Sequence, residues 1–239
     1  MEDRDPRPGD FLSIERFRQA ASDAKNAFRQ FRLNQWVRQS TRWMPMHLYG
    51  ENPGTVRSHS DEAREELAGR VAYGGLDLSA KFDLSAWYAW PPEEKGSPVD
   101  VLWRFWLPEE ALPKLDEEND GAFTRWAEQG WLTITDGNII DYDQVYEDIG
   151  EDGEHFAFRA VHADEWSMWP VINKVGDLTG LDVDEGEVVA YKNTYDRITP
   201  GLNEVMGLVK TRRFNHHGNP VAASCFDSVE VRRARTTPT

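Results

Sequence analysis

The 239-residue chain is 39% hydrophobic, holds ten tryptophans and has a formal net charge of −15. That many aromatic residues excludes a disordered chain and allows one large domain, or one domain with an arm. No apolar run approaches membrane-spanning length, the opening MEDRDPRPGD lacks the apolar core of a signal peptide, and the single cysteine, Cys225, excludes an internal disulfide and fits a reducing compartment.

In chain order, residues 1–10 read as a loose tail. Residues 13–40 read as a helical arm, with Phe17, Ala20, Ala21, Ala24, Phe28, Phe31 and Leu33 near helical spacing. The stretch GENPGTVRSHS (50–60) is turn-rich and makes a linker. A short acidic helix, DEAREELAG, stops at Gly69. The pattern then changes to strands: VAYGGLDLS, LSAWYAW and VDVLWRFWLP, the last two rich in aromatic and β-branched residues. Asp116–Gln129 reads as one helix, WLTIT as a short strand, DYDQVYEDIGED as a helix and FAFRAVHAD as a strand ending on an acid. A helix broken early by Pro170 follows, then the strand GEVVAYKN. PGLNEVMGLVKTR predicts a helix with proline in its first turn, FNHHGNPV a turn and CFDSVEVRR a last strand. Three consecutive strands make an antiparallel meander, and the later strand–helix–strand unit adds parallel strands by crossover. The expected fold class is therefore α/β, a ribonuclease H-like mixed sheet flanked by helices. Trp87, Trp90, Trp103 and Trp106 are expected to be core or half-buried residues rather than a base-stacking platform.

Charge is distributed unevenly. Residues 109–154 hold fifteen acids against Lys114 and Arg125, whereas Arg16 to Arg42 at one end and Lys210, Arg212, Arg213 and Arg232–Arg235 at the other are basic. Phosphate binding requires cations, so a nucleic-acid partner would meet the ends and not the middle. Solvated surface faces are the plainer reading of the same runs.

Several catalytic signatures are missing from the sequence. There is no G-x-x-x-x-G-K-[ST], hence no site for ATP hydrolysis, and no C-x-x-C, H-E-x-x-H or G-x-S-x-G. What stands out is two acids where apolar strands end, Asp77 in GGLDLS and Asp164 in AVHADEW. Neighbouring strands would bring both carboxylates together, and their repulsion would be relieved by a divalent cation. Two hard cations roughly 4 Å apart suit phosphodiester hydrolysis. Taken singly, each Asp reads more plainly as a cap for the turn or helix that follows it.

YGGLDLSAKFDLSAW resembles the opening strand of the nuclease domain of tailed-phage terminase large subunits. FRQFRLNQWV with RWMP resembles the segment that joins that family's motor domain to the nuclease. GWLTITDGNIIDYDQVYEDI, YKNTYDRITPGLNEV and RRFNHHGNPV resemble later stretches, in the family's order, across about residues 28–231. The resemblance implies residues 1–60 as the trailing arm and linker of the motor domain and 61–239 as the nuclease domain. It implies an endonuclease that cuts concatemeric double-stranded viral DNA in the host cell cytoplasm, using Mg2+ or Mn2+, as two ions. The implied partners are double-stranded DNA, a terminase ATPase domain or chain, the terminase small subunit and the portal protein, with no membrane.

Carried over by position, Asp77 and Asp164 match the family's first two metal-binding acids. Asp83 matches a recurrent acid just after the first strand, a further metal or supporting residue, or a turn cap. Asp141 matches another recurrent position, with capping of the following helix equally open. His216 matches a recurrent histidine that is either a DNA or a structural contact, and Arg212 and Arg213 are the expected DNA-contacting cations. The family's third acid, in a D-G-x-x-A-like helix after the last strand, has no counterpart before the chain stops at RRARTTPT, and the context of Asp227 does not match. A non-catalytic DNA-holding or docking module of a split or decayed terminase is therefore the alternative.

Overall fold

The computed structural model describes residues 42–52, 54, 61–79, 83–91, 97–165, 169–192 and 194–230. The expected tail at 1–10 and arm at 13–40 lie outside these residues. The chain divides into one unit of Met1–Trp43 with Ser228–Thr239 and a second of Met44–Asp227. In the first, Arg42 and Glu230 form an antiparallel bridge, and the Trp43 amide donates to the Val229 carbonyl at 3.0 Å.

The second unit contains the sheet. Helices α1 (Met46–Tyr49) and α2 (Asp61–Glu66) precede it, and α2 runs into a turn at Gly69, whose φ of 79° suits glycine. Strand β1 (Val71–Asp77) pairs antiparallel with β2 (Ser85–Trp90), and β2 antiparallel with β4 (Leu102–Pro108). On the far side of β4 lies β5 (Thr133–Thr135), parallel to it. The other neighbour of β1 is β6 (Ala157–Asp164), parallel, followed by β7 (Val188–Tyr191), also parallel. The order β5-β4-β2-β1-β6-β7 is the mixed, helix-flanked α/β sheet expected from the sequence.

One face of this sheet makes the main core. Ala72 and Leu76 of β1, Trp87 and Ala89 of β2, Trp106 of β4 and Val161 of β6 pack against Val145 and Ile149 of α5 (Tyr142–His155) and Val175 of α6 (Ile172–Thr179). Trp87 and Trp106 are fully buried, as expected for core tryptophans. At about 200 Å² of apolar surface each, their burial contributes on the order of 5 kcal/mol apiece as an upper bound. Their indole N–H groups are satisfied by acids of α5: Trp87 donates to Asp152 at 2.8 Å and Trp106 to Asp148 at 2.5 Å. Arg104 bridges both acids, at 2.8 Å to Asp152 and 3.1 Å to Asp148, and Arg64 of α2 reaches Asp152 at 2.6 Å. Two members of the acidic run at 109–154 thus face inward and are neutralised there. Burial alone would raise Asp152, but Arg104 and Arg64 outweigh it and hold its carboxyl below the usual range. At Asp148 burial wins and the pKa is raised.

Four local expectations are corrected. Asp116–Gln129 is not one helix: α3 (Leu112–Glu118) and α4 (Ala122–Glu128) are separated where Asp120 and Gly121 take φ of 54° and 70°. The Asp116 carboxylate closes the break by accepting from the Phe123 and Thr124 amides at 2.9 and 3.1 Å. VDVLWRFWLP splits into β4 and a separate β3 (Val99–Asp100), which pairs parallel with β8 (Phe214–Asn215). The helix α7 (Tyr195–Lys210) begins before its proline, so Pro200 lies inside it. Residues expected as a last strand begin in helix α8 (Pro220–Ser228), because Pro220 suits a first helical position and Asn219 accepts the Ala222 amide at 3.0 Å as a cap.

Candidate active site

The second face of the sheet carries the acids. Side chains alternate along a strand, so Gly75 and Asp77 share a face of β1, as do His162 and Asp164 on β6. The parallel register pairs Gly75 with His162 and Leu76 with Ala163. One residue further, Asp77 and Asp164 end their adjacent strands. Helix α7 covers this face, and between it and the sheet lies a cleft of about 640 Å³. Asp77, Tyr88, His162, Asp164, Arg197 and Glu204 are among its lining residues. Asp77 is exposed at its edge and Asp164 half-buried.

Two glycines make the floor flat enough for this. A Cβ at Gly74 would come within 2.5 Å of Trp87 on the core side, and one at Gly75 within 2.0 Å of the Tyr88 ring on the cleft side. Glycine at both positions lets aromatic rings of β2 lie directly across β1, immediately before Asp77. Burial raises the Tyr88 hydroxyl above its ordinary pKa.

The electrostatics of the floor are unbalanced. Desolvation by the surrounding protein, then repulsion from Asp164 and from Asp83, raise the Asp77 carboxyl above the usual carboxylate range. Asp83 therefore lies close enough to act on Asp77, while its own carboxylate accepts the Leu84 amide at 2.8 Å. These acids offer hard oxygen donors of the kind that suit divalent cations. Among the described residues, however, no three His, Cys, Asp or Glu side chains converge tightly enough to hold an ion as they stand.

The remaining sequence candidates sit elsewhere. Asp141 caps α5, accepting the Asp143 amide at 2.9 Å. His216 is 5% exposed, stacks on Tyr49 at 4.0 Å, has Nε2 3.0 Å from the Tyr49 carbonyl and accepts the Gly218 amide on Nδ1 at 3.1 Å. Both ring nitrogens are engaged inside the fold. Burial first of all lowers its pKa, in keeping with a neutral ring. Arg212 is exposed and ion-paired with Glu51 at 2.9 Å. Arg213 donates to the Ser97 carbonyl at 3.3 Å.

Sequence reading missed His162, Tyr191, Arg197 and Glu204. His162 was accessible to it, lying two residues before Asp164 in an alternating strand. The others reach the cleft through β7 and α7, and no local motif marks them.

The mixed, helix-flanked sheet defines an α/β domain. The chain belongs to the family described as "Terminase large subunit, endonuclease domain", which matches residues 13–236. It is 26% identical over 208 residues to the "Terminase, large subunit" of Enterobacteria phage HK97, covering 84% of this chain and 37% of that protein. It is 23% identical over 172 residues to "Protein YmfN" of Escherichia coli (strain K12), covering 69% of this chain and 36% of that protein. The crystal structure of the HK97 bacteriophage large terminase aligns with a TM-score of 0.62 at 24% identity, over 92% of this chain and 44% of that chain. The chain thus spans less than half the length of each of these relatives. No helix among the described residues is long and apolar enough to cross a membrane.

Proposed function

We propose that the chain is the nuclease part of a phage DNA-packaging terminase, a divalent-metal-dependent endonuclease that cuts concatemeric double-stranded viral DNA in the host cell cytoplasm. The observation that supports this best is the placement of Asp77 and Asp164 at the adjacent ends of two parallel strands, on one face, opening on a cleft. Asp77 and Asp164 would hold Mg2+ or Mn2+, two ions, with Asp83 as a further ligand or a support. Such ions lower the pKa of an attacking water and neutralise the charge that develops on the phosphate and leaving oxygen.

The chain's own residues supply the frame for this chemistry. Strand pairing fixes the two carboxylates relative to each other. The Tyr88 ring beside Gly75 closes the floor next to Asp77 and keeps water from one side. α7 confines a strand of DNA to the open edge of the cleft. On this reading its partners would be double-stranded DNA, a terminase ATPase domain or chain, the small subunit and the portal protein.

The loose acid cluster favours a second reading, a DNA-holding or docking module without catalysis. Calorimetric titration with Mn2+ separates the two. Binding that is weakened at least tenfold in both Asp77→Asn and Asp164→Asn, with unchanged unfolding curves, supports the metal site. Equal Mn2+ affinity in wild type and both variants contradicts it.

A further inference from the structure

An acidic floor repels a phosphodiester, so DNA needs fixed cations at the rim of the cleft. Among the described residues lining it, Arg197 is the one permanent cation. It sits in the first turn of α7 with its side chain exposed, and its main chain is tied back to the sheet. The Tyr191 hydroxyl donates to the Arg197 carbonyl oxygen, and the Tyr191 ring stacks on His162 at 5.8 Å and 18°. His162 shares its strand face with Asp164. A continuous set of contacts therefore sets the base of the Arg197 guanidinium relative to the acids. Lys192, directly after β7, is a second cation nearby; its side chain is 60% exposed and its ammonium lies 3.7 Å from Glu165, a pairing of little strength in water.

Arg212 is placed differently. It follows the opposite end of α7, about 20 Å along the helix axis from Arg197 at 1.5 Å per residue. Glu51 already takes its Nε and one Nη, at 3.0 and 2.9 Å.

We infer that Arg197, with Lys192 beside it, grips the backbone phosphate of the DNA strand that lies across Asp77 and Asp164. The first turn of α7, rather than the Arg212–Arg213 loop, then sets the strand's path. A guanidinium offers a planar fork of donors that matches two phosphate oxygens. The inference deepens the nuclease reading and rests on it, yet it concerns binding and is measurable without cutting.

The test uses the full chain, a fluorescein-labelled DNA duplex and fluorescence anisotropy, with Ca2+ supplied to occupy the carboxylates. Arg197→Ala should weaken binding on the order of tenfold and lower the slope of log affinity against log salt by about one. Arg197→Lys keeps the charge, so it should restore the slope and part of the affinity, which a merely structural role would not do. Arg212→Ala should change neither quantity, and thermal melts should show all variants folded. Wild-type affinity and slope in Arg197→Ala would overturn the inference while leaving the nuclease reading intact. A folded wild-type chain that binds no duplex would overturn both.

Discussion

Gly75→Ala tests the floor of the cleft most sharply. The added Cβ would sit 2.0 Å from Tyr88 Cε1, 2.2 Å from Cζ and 2.5 Å from the hydroxyl oxygen. Non-bonded carbons rest at about 3.5–4.0 Å, so the ring has to retreat by roughly 1.5 Å. Behind it stands an aromatic row: Trp103 lies 6.0 Å from Tyr88, with Phe105 stacked on Trp103 at 6.1 Å. Pushing into that row should cost about 1–3 kcal/mol, the usual range for overpacking. The magnitude is isolated by a double-mutant cycle with Tyr88→Ala, in which the new methyl meets no ring. There Gly75→Ala should be neutral, or stabilising by about 0.5–1 kcal/mol because alanine loses less backbone freedom than glycine. Urea unfolding of the four proteins gives the coupling energy directly. The same cost for Gly75→Ala in both backgrounds would refute the close approach of Tyr88 to β1.

Asp152→Ala removes the buried carboxylate that Arg64, 3% exposed, and Arg104 share, and should destabilise by about 3–5 kcal/mol; a loss under about 1 kcal/mol in urea unfolding would contradict the buried network. Asp100 supplies a pH dependence: burial alone would raise its carboxyl, but bonds from His217 and Asn215 and the charges of His217 and Arg70 hold it below the usual range. Its contribution to stability is therefore present above about pH 4, the ordinary Asp value, and lost as pH falls through the depressed folded value. Asp152 has the same sign, whereas the raised Asp148 contributes below the ordinary value and loses that contribution as pH rises. Asp100→Asn should flatten the acid limb of a stability–pH curve, and an unchanged slope would show that Asp100 is not responsible.

Much of the sheet was legible because its signals are local. β1, β2 and β6 are short apolar runs that end in polar residues, and the acids at the ends of β1 and β6 mark where a parallel pair exposes its carboxyl edge. The broken helix at Asp120–Gly121 was harder, since the carboxylate that recaps it comes from Asp116 in the preceding helix. The last helix was misread because Cys225, Phe226 and Val229 resemble a strand, whereas the Asn219 cap and Pro220 upstream decide its structure. Within the site, Asp77 and Asp164 stood out as strand-end acids. Arg197 did not: nothing in TYDRITP says that the helix starts five residues before its proline, or that Tyr191 anchors that first turn over the acids. Solvated faces are the plainer sequence reading of the acidic stretch at 109–154, because only the tertiary arrangement places Arg64 and Arg104 opposite Asp152.

The most direct test of the central claim is Mg2+- or Mn2+-dependent cleavage of plasmid DNA by the full chain and by Asp77→Asn. The exchange keeps size and one oxygen but removes the negative charge that holds a divalent cation, and asparagine caps a turn about as well as aspartate. The account predicts that the wild type nicks or linearises plasmid only with the metal present, and that the folded Asp77→Asn protein does not. Equal metal-dependent cutting by the two proteins would contradict the ligand role of Asp77, and a folded wild type that never cuts with either metal would contradict the nuclease reading in favour of a DNA-holding module.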